Sequence, residues 1–174
     1  RFQGGDTQRS RRFVEVATQA LEARFMPEDS SNLNIRSKYP GAVLTDADMA
    51  ADKAITDVIH AGTVGGAIYS EESTARDDDS DLTWLIDPLC GTTPYSTGLA
   101  QRGINIALER AGVLQLGVIS LPPSRELITG VKLRGTSRNG RPFSAIEPPG
   151  DLSEVAIAVE LDGGPVRLKL KNSL

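Results

Sequence analysis

Residues 103–132 read GINIALERAGVLQLGVISLPPSRELITGVK, and this stretch decides the fold. It contains three short apolar runs, which are GINIALE (103–109), VLQLGVIS (113–120) and ELITGVK (126–132). Turn formers separate the runs at 110–112 (Arg-Ala-Gly) and at 122–124 (Pro-Pro-Ser). Because short apolar runs joined by tight turns are typical of antiparallel strands, the stretch predicts an antiparallel meander.

The same reading extends to both sides of the meander. GGAIYS (65–70) and TWLI (83–86) are short apolar runs bounded by polar residues, as buried strands are. Asn139-Gly140 is a strong signal for a tight hairpin turn after the third run. The strand pattern therefore continues from about residue 65 to beyond residue 140.

Two helices are predicted ahead of the strands. Apolar residues recur at helical spacing from Phe13 to Phe25, which predicts an amphipathic helix over about 11–25. A second helix is expected to open at Thr45, Asp46 and Asp48, whose side chains can accept N–H bonds near a helix start, and to end at Gly62. Its predicted buried face consists of Ala51, Ile55, Val58 and Ile59.

Two helices followed by a run of strands predict an α+β fold with the helices on one face of a mainly antiparallel sheet. The segment PEDSSNLNIRSKYPG (27–41) is rich in turn formers and is predicted to be a loop. Residues 147–150, Glu-Pro-Pro-Gly, look like a boundary between structural units. We therefore expect one α+β domain over 1–147 and the start of a truncated second domain over 148–174, with a strand at 154–161.

Composition limits the classes of function. The 174 residues are 39% apolar and 24% charged, with a net charge of −4, which is typical of a soluble globular protein. The sequence has no basic stripe and no long apolar run, so neither nucleic acid nor a membrane is expected as the main partner. A single cysteine excludes an internal disulfide framework. Without a signal peptide, the chain is expected to be part of a cytoplasmic protein.

Acidic residues follow two of the predicted strands. Glu71 and Glu72 come directly after one apolar run, and Asp87 comes directly after the next. If these strands lie side by side and point the same way, the three carboxylates gather at one end of the sheet. Clustered carboxylates repel one another unless a cation neutralises them, and hard oxygen ligands suit Mg²⁺. The pattern therefore predicts a magnesium site.

The residues after Asp87 favour a phosphate site beside that ion. Pro88 fixes its own backbone and pushes Asp87 towards an extended conformation. The carbonyl of Leu89 can serve as a further oxygen ligand. Gly91 leaves room for an oxyanion to approach the backbone, and Thr92 and Thr93 add hydroxyl groups to the N–H donors.

Three motifs resemble the signature of the inositol monophosphatase family. They are Ser-Glu-Glu-Ser at 70–73, Trp-Leu-Ile-Asp-Pro-Leu-Cys-Gly-Thr-Thr at 84–93 and Leu-Thr-Asp-Ala-Asp at 44–48. The resemblance covers roughly residues 11–145. Members of this family are Mg²⁺-dependent, commonly lithium-sensitive phosphatases, related to fructose bisphosphatases and bisphosphate nucleotidases. The resemblance implies a layered α/β sandwich.

The resemblance also implies roles for individual residues. Glu71 would bind metal and orient the attacking water, and Glu72 would be the supporting acid of the pair. Asp87 and the carbonyl of Leu89 would also bind metal. Thr92 would contact the nucleophilic water, with Asp48 behind it. Phosphate would lie against the turn formed by Gly91, Thr92 and Thr93.

The implied reaction is hydrolysis of a small polyol or sugar phosphate, such as inositol monophosphate, by metal-activated water. The implied cofactor is Mg²⁺, with Mn²⁺ as an alternative, and the implied partner is a small-molecule phosphate ester. Members of the family are often dimers, so the resemblance leaves a homodimer open.

Two departures from the family pattern keep other readings open. Cys90 stands where the family usually has an aspartate that binds a second metal, and a thiol suits Mg²⁺ poorly. The Trp-Asp motif of the family's second domain has no match after residue 150, since the only tryptophan is Trp84. A catalytically weakened or inactive phosphate-binding relative is therefore one alternative. A 3′(2′),5′-bisphosphate nucleotidase, suggested by Ser-Glu-Glu-Ser, is another.

Overall fold

A computed structural model describes residues 33–39, 42–61, 65–75 and 80–144. Over these residues the protein has ten β-strands, two α-helices and one 3₁₀ turn at Pro122–Ser124. The helices are α1 (Asp46–Ala61) and α2 (Thr92–Ser96). The strands are β1 (Ile35–Tyr39), β2 (Ala42–Thr45), β3 (Ala67–Ser70), β4 (Thr74–Ala75), β5 (Leu82–Cys90), β6 (Gly103–Arg110), β7 (Val113–Leu121), β8 (Glu126–Val131), β9 (Gly135–Arg138) and β10 (Arg141–Phe143).

Eight of these strands form one mixed sheet in the order β10-β9-β8-β7-β6-β5-β3-β4. From β5 to β10, each strand pairs antiparallel with the next. The predicted meander over 103–132 is thus confirmed, and Asn139-Gly140 lies in the tight turn between β9 and β10, as predicted. The α+β class is confirmed as well.

Strands β3 and β5 are parallel neighbours, as the acidic motifs required. Ser70 lies opposite Ile86 in their register. Between them in the chain, β4 pairs antiparallel with the outer edge of β3, while β5 pairs with its inner edge. Both strands therefore end at the same edge of the sheet.

Helix α1 covers one face of this sheet. It begins at Asp46, directly after the predicted opening residue Thr45, and it buries Ala51, Ile55 and Ile59 as predicted, whereas Val58 is only half-buried. The isoleucines pack in a core cluster with Trp84 of β5 and with apolar side chains of β3 and β6–β7. No helix among the described residues is long and apolar enough to cross a membrane.

The prediction of a loop over 27–41 is wrong at Ile35–Tyr39, while residues 27–32 and 40–41 lie outside the described residues. Strands β1 and β2 form an antiparallel hairpin here, as a separate two-stranded sheet. The hairpin escaped the sequence analysis because the side chains of β1 are mostly polar, so no apolar alternation marks the strand. Four other predictions lie outside the described residues. They are the helix over 11–25, the end of the second helix at Gly62, the boundary at 147–150 and the strand at 154–161. The domain limits therefore stay predictions.

Candidate active site

Two acidic motifs meet where β3 and β5 end. The backbone N–H of Glu71 donates to the carbonyl of Ile86 over 3.0 Å. The pairing with β5 therefore continues for one residue beyond the end of β3. Glu71 and Asp87 therefore lie side by side, continuing the register of Ser70 with Ile86. The parallel pairing that the hypothesis required is confirmed, and it places both residues at one end of the sheet.

Asp87 is half-buried on the sheet face opposite α1. Its cross-strand neighbour Asn105 donates an amide hydrogen from Nδ2 to Oδ2 over 3.3 Å. The other oxygen, Oδ1, is buried and has no hydrogen-bond partner among the described residues. Burial raises the pKa of Asp87, and the charge of Glu71 adds to the rise, while hydrogen bonds from Cys90, Asn105 and the backbone at Leu89 act in the opposite direction.

Glu71 and Glu72 share one cation, the ammonium of Lys38 on β1. Its Nζ lies 3.0 Å from Glu71 Oε1, 2.9 Å from Glu72 Oε1 and 3.3 Å from the carbonyl oxygen of Glu71. The side chain of Glu72 is 6% exposed and that of Glu71 is 49% exposed. Burial acts to lower the pKa of Lys38, but the hydrogen bonds and charges of the two glutamates outweigh it, so the pKa lies above its ordinary value.

Asp48 is the most connected acid of the site. It is buried, and its Oδ2 accepts hydrogen bonds from the backbone N–H of Thr45 at 2.7 Å and from the Thr45 hydroxyl at 2.6 Å. The Thr45 oxygen in turn accepts the N–H of Ala47 at 3.2 Å, which completes a capping box at the start of α1. The remaining oxygen, Oδ1, accepts the hydroxyl of Thr92 at 2.7 Å.

Thr92 thus joins α1 to the end of β5. Its hydroxyl oxygen lies 2.7 Å from Asp48 and 3.1 Å from the carbonyl oxygen of Leu89. A hydroxyl has one hydrogen, and the charged acceptor makes the stronger bond. The Thr92 hydroxyl therefore donates its hydrogen to Asp48 and not to the Leu89 carbonyl. The Thr92 oxygen keeps a lone pair with which to accept a hydrogen bond from water.

Gly91 forms the sharp corner between β5 and α2. Its φ is +89°, which L side chains rarely adopt, and a Cβ at this position would lie 2.5 Å from the carbonyl oxygen of Gln101. The following helix begins with Thr92 and Thr93, of which Thr93 is exposed. The glycine therefore allows the chain to turn while the segment at Gln101, just before β6, passes close to it.

Replacing Gly91 with alanine is expected to destabilise the fold more than the same change at Gly98. Both glycines have positive φ, but a Cβ at Gly98 meets nothing within 4 Å, so only Gly91→Ala adds a backbone clash. The clash is expected to add about 1–3 kcal/mol to the loss of unfolding free energy. Urea unfolding of both variants measures the difference, and equal losses would show that the corner tolerates a side chain.

Cys90 is exposed at the end of β5. It lies opposite Gly103 after an irregularity in the β5–β6 register, and its hydrogen bond to Asp87 lowers the pKa of that carboxyl. The thiol therefore contacts the neighbouring acid at the position where the family resemblance implies a second metal ligand.

The structure brings most of the predicted site residues together in two groups. Asp48, Thr92 and Leu89 form one hydrogen-bonded group, while Glu71, Glu72 and Asp87 lie at the adjoining strand ends. The sequence analysis missed Lys38 and Asn105. Lys38 stands 33 residues before Glu71 in a segment read as a loop, and Asn105 is identified only through the strand register.

The donor chemistry fits one hard divalent cation. Asp87 offers a buried, unpartnered oxygen, Glu71 offers a carboxylate beside it, and the Leu89 carbonyl offers a neutral oxygen. The described part of the chain holds no group of three or more His, Cys, Asp or Glu side chains arranged to hold a metal. Lys38 occupies the glutamates in this arrangement, and the Cys90 thiol is a poor ligand for a second Mg²⁺.

The mixed sheet thus carries acids and a glycine-threonine corner at the ends of two parallel strands, as the resemblance to a family of metal-dependent phosphatases implied. The chain belongs to the inositol monophosphatase family, whose sequence model matches residues 6–167. The resemblance stated from the three motifs is thereby confirmed.

Named relatives show what the chain is similar to. It is 36% identical over 117 residues to a glucose-1-phosphate thymidylyltransferase of Streptomyces griseus, a match that covers 66% of this chain and 45% of that protein. It is 34% identical over 111 residues to an inositol-1-monophosphatase of Mesorhizobium japonicum, covering 63% of this chain and 42% of that protein. The chain thus spans less than half the length of these relatives, and their names do not agree on one substrate.

The fold is shared with solved structures. The extragenic suppressor protein SuhB of Bartonella henselae superposes with a TM-score of 0.73 at 27% identity, covering 80% of this chain and 54% of that chain. This likeness confirms the predicted fold type of the inositol monophosphatases.

Proposed function

We propose that this protein is a Mg²⁺-dependent phosphomonoesterase acting on a small polyol or sugar phosphate such as inositol monophosphate. One observation carries the proposal: the Thr92 hydroxyl donates a 2.7 Å hydrogen bond to the buried Asp48. Thr92 lies just after the end of β5, the strand that contains Asp87. Family membership supports a phosphatase, and the substrate and the activity of the chain are part of the proposal.

Thr92 is the residue that orients water in this proposal. Because its hydrogen points to Asp48, its oxygen accepts a hydrogen bond from a water molecule and turns a lone pair of that water towards the phosphorus. Attack forms a new P–O bond and breaks the ester P–O bond, while the proton lost by the water ends on the departing alcohol. Asp48 is a positioning residue, since it acts through Thr92.

The acids at the strand ends would hold the cation. Glu71, Asp87 and the Leu89 carbonyl supply the oxygen ligands, and Glu72 supports Glu71 as the buried second acid of the pair. When bound, Mg²⁺ supplies positive charge that stabilises the entering and leaving oxygens. Mn²⁺ also prefers such oxygen ligands and is expected to substitute.

The corner after β5 would receive the phosphate. Gly91 lets the chain turn into the start of α2, where the N–H groups of Thr92 and Thr93 and the hydroxyl of Thr93 are suited to bind phosphate oxygens, since the Thr92 hydroxyl donates its one hydrogen to Asp48. A small ester whose alcohol carries hydroxyl groups is the partner that we propose.

The proposal is tested by measuring inorganic phosphate released from a panel of esters by the full chain. Inositol 1-phosphate, a hexose phosphate and adenosine 3′,5′-bisphosphate are each offered with Mg²⁺, with Mn²⁺ and with EDTA. Release that depends on the metal and favours the polyol or sugar phosphate is expected. Preference for the bisphosphate would instead indicate the nucleotidase suggested by the Ser-Glu-Glu-Ser motif, and no release from any ester would contradict a phosphomonoesterase.

Cys90 favours a second candidate, a weakened or inactive phosphate-binding relative. An exposed thiol that hydrogen-bonds Asp87 is a poor second ligand for Mg²⁺. Such a protein would keep the phosphate corner at Gly91 and Thr92 and bind phosphate without turnover. Mg²⁺-dependent activity in the unaltered chain would exclude this candidate.

Replacing Cys90 with aspartate is expected to raise Mg²⁺-dependent turnover by about tenfold or more, because a hard carboxylate replaces a soft thiol next to Asp87. Cys90→Ser is the matched control, since it removes the sulfur and adds no charge. Without metal, the added charge should lower the melting temperature of Cys90→Asp, and Mg²⁺ should restore it. If turnover stays unchanged in Cys90→Asp, a defect of the second metal position is not what limits this chain.

A further inference from the structure

The β1–β2 hairpin contacts the acids of the proposed site through Lys38 at one end and Thr45 at the other. The ammonium of Lys38 has three hydrogens and three oxygen acceptors, at 2.9, 3.0 and 3.3 Å, all supplied by Glu71 and Glu72. At its other end the hairpin finishes at Thr45, which hydrogen-bonds Asp48. A hairpin outside the main sheet is thus joined to the acids of the site at two points.

Lys38 neutralises the negative charges of Glu71 and Glu72, which would otherwise repel each other and Asp87. Glu71 and Glu72 are adjacent in the chain, Glu72 is almost fully buried, and Asp87 lies beside Glu71. The side chain of Lys38 is itself only 25% exposed, so its attraction to the acids is less screened by solvent than that of a surface lysine.

The same charge opposes a divalent ion. An ammonium 3.0 Å from an oxygen of Glu71 lowers the negative potential at that carboxylate, and a cation bound by the other Glu71 oxygen would lie within a few ångströms of a like charge. The ion and the ammonium therefore compete for one acid pair.

We propose that Lys38 is an internal counter-cation of the Glu71–Glu72 pair, which stabilises the metal-free protein and lowers the affinity of the site for Mg²⁺. The inference rests on the proposed role of Glu71 as a metal ligand. It implies that metal binding weakens the contact between the β1–β2 hairpin and the end of β3.

Replacing Lys38 with methionine tests both parts of this inference, because Mg²⁺ affinity should rise while the stability of the metal-free protein should fall. Calorimetric titration with Mg²⁺ should give a dissociation constant about threefold to tenfold smaller for Lys38→Met than for the unaltered chain. In EDTA, the melting temperature of the variant should fall by about 2–4 °C, because the buried Glu72 loses its partner. The stabilisation produced by saturating Mg²⁺ should be correspondingly larger.

Three further variants complete the test. Lys38→Arg keeps the positive charge and should restore both the affinity and the metal-free melting temperature. Lys53→Met removes a lysine that pairs with Asp57 on the exposed side of α1, and it should change neither. Lys38→Gln keeps a hydrogen-bond donor and should bind Mg²⁺ more tightly, like Lys38→Met, even if methionine proves too disruptive at this position.

The outcomes separate the inference from the proposed function. Equal or weaker Mg²⁺ binding by Lys38→Met and Lys38→Gln, in a chain that does bind Mg²⁺, overturns the inference and leaves the phosphatase proposal standing. Tighter binding without phosphate release from any ester supports the inference and removes the phosphatase. No Mg²⁺ binding by any variant overturns both.

Discussion

Asp87→Asn is expected to lower metal-dependent phosphate release at least about 100-fold. The change keeps the shape of the side chain and removes the charge with which Asp87 would hold a cation, so the developing charge of the reacting phosphate is no longer stabilised. Initial rates over a range of Mg²⁺ concentrations measure the effect. Asp81→Asn is the matched control, because Asp81 lies at the other end of β5 and pairs with Arg110 at the surface.

The same variant should not lose stability in the absence of metal. Burial raises the pKa of Asp87, so the folded protein binds this proton more tightly than the unfolded chain does. A raised carboxyl pKa contributes stability at pH values below the unfolded pKa, and that contribution disappears as the pH rises through the folded pKa. Asp87→Asn removes this loss, so melting temperatures in EDTA should fall less in the variant as the pH rises above the ordinary carboxyl pKa of about 4. Full activity in Asp87→Asn would refute the site assignment.

The strands that surround the site could be predicted because each depends on a local apolar pattern. The runs at 103–109, 113–120 and 126–132 carry their own turn signals, and the structure places all three in the antiparallel part of the sheet. The parallel pairing of β3 with β5 was only a hypothesis, because the connection is short for a crossover. The structure shows the parallel pairing itself, and it places the small strand β4 in the first part of the connection.

The polar hairpin could not be predicted in this way. Of the side chains in β1, Ile35 is the one clearly apolar aliphatic group, and it is exposed, so the strand is stabilised by backbone pairing with β2 rather than by burial. Lys38 contacts Glu71 and Glu72 only because that hairpin exists. A contact between residues more than 30 positions apart follows from the fold and has no counterpart in sequence spacing.

The residues of the candidate site also divide into those that a local sequence pattern predicts and those that only the tertiary structure identifies. Thr45 and Asp48 were predicted near a helix start from their local pattern, and the structure shows the capping box that this pattern favours. Asn105 instead reaches Asp87 across the β5–β6 pairing, so a shift of the register by one residue would place it on the other face of the sheet. Motifs thus identified the acids, while the tertiary structure supplied two of the groups that hold them.

Asp48→Ala is expected to lower the free energy of unfolding by about 2–4 kcal/mol. Asp48 is 2% exposed and accepts three hydrogen bonds, so its removal leaves the N–H and hydroxyl of Thr45 without their acceptor and leaves the Thr92 hydroxyl only the Leu89 carbonyl, 3.1 Å away. Urea unfolding measures the loss. Asp57→Ala is the control, because Asp57 lies on the exposed side of the same helix and pairs only with Lys53 in the described structure, so a change within about 0.5 kcal/mol is expected.

Thr92→Val separates the stabilising role of Asp48 from its role in positioning Thr92. The variant removes the hydroxyl proposed to orient water and leaves the Thr45–Asp48 capping box intact, so activity should fall by about 100-fold. Its free energy of unfolding should fall by about 1.5–2 kcal/mol, the lower part of the range for one hydrogen bond to a charged group, because both Thr45 bonds to Asp48 remain. A Thr92→Val protein that is as unstable as Asp48→Ala, or that keeps full activity, would mean that the bond between Thr92 and Asp48 serves the fold alone.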